Sequence, residues 1–174
     1  MASLEEIRKA LTDFKKSGKF IIAYGDSYLQ GAYYVASVAD SLYINPSGML
    51  DWHGIASQPM QVFRVGTFKS AVEPFIRTDM SDANGAMVQS FINDIWTVAC
   101  KDVSASRKIS VDSLNALADN YMALTEANDY VRTRLVDRTA YIDEVRETLR
   151  RLTKTEHLNM VSPAELAAYD ESAN

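Results

Sequence analysis

Cysteine is nearly absent: Cys100 stands alone among 174 residues, so no disulfide can form within the chain. Histidine is almost as scarce, with only His53 and His157, and one thiol with two imidazoles does not assemble a Cys/His zinc site. No metal and no cofactor is expected. Seven glycines and four prolines exclude collagen-like and Pro/Gly-rich disordered chains, while 47% apolar residues provide for a core. No run approaches the roughly eighteen apolar residues of a membrane span, and the N-terminus lacks the basic-then-apolar layout of a signal peptide, so the chain reads as a soluble piece. Positive charge is also short. Eighteen Lys and Arg against 23 Asp and Glu leave a net charge of −5, which disfavours nucleic acid as a partner because phosphate neutralisation needs a basic face. Strings of the GxGxxG, P-loop, GxSxG and HExxH kinds are missing, which removes dinucleotide, Walker-type, hydrolase-elbow and zincin readings.

What is present alternates and then turns helical. Ser3-Leu4-Glu5-Glu6 is a capping-box pattern, and Leu4, Ile7, Leu11 and Phe14 recur at helical spacing until Gly18, predicting a helix over 3–17. Phe20 to Tyr24 reads as a strand buried on both faces. A small-residue helix over 29–39, a strand over 42–44 and the turn Asn45-Pro46-Ser47-Gly48 follow, with further strands expected at Met49–Trp52 and Met60–Val65. The remaining length predicts helices over about 82–106, 111–119, 125–134 and 143–152, and a last capped start at Ser162-Pro163-Ala164-Glu165. Alternation followed by a helical half indicates an α/β layer fold. Arg132, Arg134, Arg138, Arg146, Arg150, Arg151 and Lys154 form a basic run, but Asp137, Asp143, Glu144 and Glu147 interrupt it, as on a solvated helix face.

Lys69 is the residue placed for chemistry. It follows an expected strand, Gly66 permits an unusual backbone, and Phe68, Ala71 and Val72 surround it in sequence. Loss of water disfavours the charged amine, and a neutral lysine takes a proton from a hydroxyl nucleophile. On spacing alone a solvated surface lysine is the better account. Ser70 adjoins it, but neighbouring side chains diverge, so capping or packing suits Ser70 better. Ser27 lies at a strand end, where a turn-forming role is favoured over that of a nucleophile. His53, between Trp52 and Gly54, fits a packed and hydrogen-bonded side chain, and His157 a solvated one.

The strings FRVGTFKSAVEPF, YGDSYLQGAYYVASVAD and NPSGMLDWHGIAS, with the later MSDAN, resemble the N-terminal repeat of the long, two-repeat form of the signal peptide peptidase A family. The resemblance runs over about 4–152. It implies a ClpP/crotonase-like layered α/β fold, truncated at the N-terminus, with a helical C-terminal half. A partial peptidase repeat would occupy 3–152 and an extension or linker 153–174. It implies a serine peptidase with a Ser-Lys dyad that degrades cleaved signal peptides, in which this repeat supplies Lys69 as general base and a second repeat supplies the serine. Gln30 stands in the serine's place, and an amide is no acyl-transfer nucleophile. Implied partners are a peptide substrate, the serine-bearing second repeat, further copies in a homo-oligomer, and the bacterial cytoplasmic membrane through an anchor outside this chain.

Three departures accompany the likeness. Met1-Ala2 leads straight into a helix signal, as either a natural start or a cut into something longer would. The stretch between Gly54 and Phe63 is shorter than the family pattern by roughly a dozen residues, about three helical turns. Arg134 stands where a glycine is usual. Two other functions compete: a non-enzymatic assembly or scaffold domain of the same fold, and a crotonase-like acyl-CoA enzyme, for which neither an anionic-ligand loop nor an acid pair is found.

Overall fold

The computed structural model describes residues 2–55, 82–120, 122, 125–162 and 164–165. The expected strand at 60–65, Lys69, Ser70, Pro163 and the shortened stretch before Phe63 lie outside the described residues. Helix α1 spans Ala2–Lys16, β1 Ile22–Gly25, α2 Gln30–Ala36, β2 Ser41–Ile44, α3 Asp82–Arg107, α4 Val111–Asp119, α5 Ala127–Arg132, β3 Arg138–Thr139 and α6 Ile142–Thr153. The three strands form one parallel sheet in the order β1-β2-β3, with Ile22 opposite Ser41, Gly25 opposite Ile44, and Ile44 in turn opposite Thr139. Parallel pairing requires crossovers; α2 makes the first, and the chain between β2 and β3 carries α3, α4 and α5. The described residues are thus α/β.

Several expectations need correction. Helix α1 begins at Ala2, so Ser3 lies inside it rather than capping it, whereas Gly18 does close the helix at φ +81 and donates to the Lys15 carbonyl at 3.0 Å. Strand β1 is half-buried along its length rather than buried on both faces, and β2 is its one partner among the described residues. Met49–Trp52 is no strand; Leu50 makes a single parallel bridge to Tyr28. Within α3, Phe91 is 65% exposed, and the buried stripe runs through Ala99, Cys100 and Val103. Strand β3 escaped the sequence reading. Asp137 holds it: its N–H donates to the Leu42 carbonyl at 2.8 Å, its carboxylate accepts from the Leu42 N–H at 2.8 Å, and Arg107 of α3 pairs with the same carboxylate at 2.7 Å. By contrast α4 begins where the pattern places it, with Ser110 capping the Ser113 N–H.

The core is aromatic at its centre. Tyr33 packs edge-on against Tyr28 at 6.4 Å and against Trp52 at 5.6 Å, and Trp52 leans on Trp96 at 4.8 Å. Each polar tip finds a distant partner: the Tyr33 hydroxyl donates to the Leu135 carbonyl at 2.9 Å, and Trp52 Nε1 donates to the Leu114 carbonyl at 3.0 Å. Aromatic burial therefore ties α2 and the segment after β2 to α4 and to the approach to β3.

Helix α1 contributes its one buried residue through a charge. Arg8, 7% exposed, lies over the Tyr34 ring at 4.8 Å and donates to the Tyr34 carbonyl, to Ser37 Oγ at 2.7 Å, to the Asp102 carbonyl at 2.8 Å and to Ser106 Oγ. The Tyr34 hydroxyl in turn bonds the Asp102 carboxylate. Burial draws the Arg8 guanidinium below its usual pKa, while Tyr34 and Asp102 oppose that shift. This clasp joins α1, α2 and α3, and thereby anchors the helix that opens on Gln30.

Candidate functional site

The C-terminal ends of parallel strands are where α/β sheets gather their ligands. Here β1 ends at Gly25, the chain turns through Asp26-Ser27-Tyr28, and α2 opens with Gln30. Two glycines make that turn sterically possible. A Cβ on Gly25 would meet the Tyr28 ring at 2.8 Å, and one on Gly48 would meet the Asp26 carbonyl at 2.2 Å. The turn is stitched to the strand-like segment after β2: Tyr28 N–H donates to the Met49 carbonyl and Asp51 N–H to the Tyr28 carbonyl, both at 2.8 Å.

Gln30 stands half-buried at the first position of α2, with Leu29 before it in extended conformation. Its amide makes three hydrogen bonds. The carbonyl Oε1 accepts from His53 N–H at 3.1 Å and from Gly54 N–H at 3.0 Å, and Nε2 donates to the Gly54 carbonyl at 3.1 Å. Gly54 accommodates this clamp at φ +82, a conformation costly for other residues. The position that leads a strand–turn–helix junction thus holds a hydrogen-bonding residue without nucleophilic capacity.

Other residues singled out in the sequence fall as follows. Ser27 is exposed and its hydroxyl accepts from the Met49 N–H at 3.1 Å, which is a turn-forming role. His53 is hydrogen-bonded as expected, Nδ1 lying 2.6 Å from Asp51 Oδ1, yet its side chain is exposed rather than packed. His157 is exposed. Cys100 is buried, and burial pushes its thiol up to about 11, so it is protonated and inert at neutral pH. Arg134 adopts φ +64, the left-handed conformation that a glycine takes without strain, which accounts physically for the glycine usual there. The clamp on His53 and Gly54 was not foreseen; the unusual glutamine was its one sequence signal. Among the described residues no group of three or more His, Cys, Asp or Glu is placed to hold a metal ion, and no helix is long and apolar enough to cross a membrane.

The model of peptidase family S49 matches residues 13–156. The chain is 39% identical over 140 residues to "Protease 4" of Haemophilus influenzae, covering 73% of this chain and 23% of that protein. It is 42% identical over 125 residues to "Protease 4" of Salmonella typhi, covering 64% of this chain and 20% of that protein. It is 28% identical over 126 residues to "Serine protease SPPA, chloroplastic" of Arabidopsis thaliana, covering 63% and 19% respectively. The chain therefore spans between 19% and 23% of the length of these relatives.

Proposed function

Because the chain belongs to peptidase family S49, we propose that it is the lysine-bearing repeat of a serine peptidase whose nucleophile sits on a second repeat. The supporting observation is Gln30: at the head of α2, where the resemblance puts the serine, its amide is engaged with His53 and Gly54. A repeat built this way contributes to catalysis through another group, and Lys69 is that group.

In the proposed reaction the neutral Lys69 amine accepts the proton as the partner serine's Oγ adds to the scissile carbonyl. Collapse of the tetrahedral intermediate breaks the C–N bond, and the departing amine leaves with the proton that Lys69 carried. Water then repeats the sequence on the acyl-enzyme, with Lys69 again as base. Lys69 must lose water to be neutral at physiological pH, since desolvation disfavours the ammonium. The substrates are remnant signal peptides, bound in extended form along a strand edge. The repeat occupies 3–152 in a ClpP/crotonase-like layered fold, and 153–174 extends from it. Closure of α6 at Thr153, with Lys154 in left-handed conformation, supports that boundary. The parent protein is a homo-oligomer held at the bacterial cytoplasmic membrane.

Labelling by a fluorophosphonate probe tests the reading on three samples: the chain alone, the chain with a serine-bearing repeat, and the same mixture carrying Lys69→Ala. The expected result is no label on the chain alone and label on the partner that Lys69→Ala abolishes. Lys69-dependent label on the chain alone would refute the split dyad and return attention to Ser27 and Ser70. Partner labelling untouched by Lys69→Ala would instead favour the scaffold reading.

A further inference from the structure

An open cleft of about 450 Å³ lies between the end of α3, one side of α4 and the end of α5. It shares no residue with the Gln30 clamp. Three cations, Lys108, Arg132 and Arg134, line it, and no carboxylate does. Arg132 shares its charge with Asp129, whereas Lys108 and Arg134 form no ion pair among the described residues. The hydroxyls of Ser110 and Ser113 add neutral polar groups, and Ile109, Ala116 and Leu117 contribute an apolar side. Part of the basic run that reads in sequence as a solvated helix face is therefore gathered into one concavity.

The backbone bearing two of these cations is unusual. Lys108 and Arg134 both adopt left-handed conformations, φ 55 and φ 64, that favour glycine. The Arg134 carbonyl is anchored by Arg107 through Nε at 3.3 Å and Nη2 at 3.2 Å, so the backbone of this residue is held in place. A cation thus occupies a position whose backbone a glycine would satisfy better.

We propose that this cleft binds a small organic anion, its charged head between Lys108, Arg132 and Arg134 and its apolar body against Ile109, Ala116 and Leu117. The volume is that of a small-molecule site. The cations supply charge-assisted hydrogen bonds to a phosphate or carboxylate head. The proposal is independent of the peptidase reading.

Phenyl phosphate, benzoate and inorganic phosphate are the probes, titrated into the full chain and followed by amide NMR. The expected result is saturable shifts confined to 108–120 and 132–134, weakened by added salt, with phenyl phosphate bound more tightly than inorganic phosphate. Phenyl phosphate tighter than benzoate assigns a phosphate head, and the reverse order a carboxylate head; either supports the site. Arg134→Gly, which suits the left-handed backbone, and Lys108→Gln should each weaken binding about tenfold. Unfolding midpoints of both variants confirm that any loss is not loss of fold. No saturable shift below about 10 mM of any probe, or binding unchanged in both variants, would overturn the proposal.

Discussion

Gln30 shows how one side chain can take over a position that the resemblance assigns to a nucleophile. Its amide satisfies two backbone donors and one acceptor in a segment 23 and 24 residues away. Gln30→Ala leaves these groups to partial solvent and is expected to cost about 1–3 kcal/mol. Gln30→Glu keeps the acceptor for both N–H groups and loses the donor, so it should cost less. Urea midpoints give the energies, and hydrogen exchange at His53 and Gly54 should quicken in the alanine variant. A variant with the native midpoint and native exchange would remove any energetic role for the clamp. The glutamine itself was visible in the sequence, but its partners were not, because a side-chain amide carries no mark of which distant backbone will meet it. Arg134 is the opposite case. The departure from glycine was visible, and its φ of +64 supplies the reason glycine suits the site.

At the scale of elements, periodicity located helices better than it assigned their faces. Helix α1 is where the spacing of Leu4, Ile7, Leu11 and Phe14 puts it, yet Ile7 and Phe14 are exposed and Arg8 is the buried residue. A guanidinium is buried at tolerable cost only where several acceptors converge, and those acceptors come from α2 and α3. Removing it in Arg8→Met should destabilise the fold by about 2–4 kcal/mol, towards the lower end because Asp102 is partly exposed and keeps some hydration. Arg8→Lys should recover little, since one ammonium cannot span the donors of a planar fork. Thermal or urea unfolding of the two variants checks this; near-native stability of Arg8→Lys would show that charge alone suffices. The same limit applies to β3, whose two residues have no period to detect and which exists because Asp137 meets Leu42 and Arg107.

For the whole molecule, the buried titratable groups point to an alkaline weakness. Burial raises the hydroxyls of Tyr28, Tyr33 and Tyr34 and pushes the Cys100 thiol from 9.0 to about 11. Each is more readily ionised in the unfolded chain, so its contribution is present below the unfolded value and is lost as pH rises through the folded one. Stability should therefore fall from about pH 9 upward, with Cys100→Ala removing the earliest part of the decline. Asp13 and Asp40 shift downward, first through hydrogen bonds to Lys16 and Lys15, so their contribution fades as pH falls through their lowered values. Both pairs are exposed, and the acid slope should be shallow by comparison. Urea midpoints from pH 3 to 11 test the asymmetry, and a symmetric profile would contradict it. By itself the sequence determined the α/β class, most helices, the Gly18 stop and the family likeness, because these rest on composition and on spacings of a few residues. Only the tertiary structure decided that Arg8 is buried, that Gln30 grips His53 and Gly54, and that Arg132 and Arg134 join Lys108 around one cleft. Each of those contacts closes a loop of some 20 to 100 residues, and its partner is chosen by how the packed elements meet rather than by any local preference of the chain.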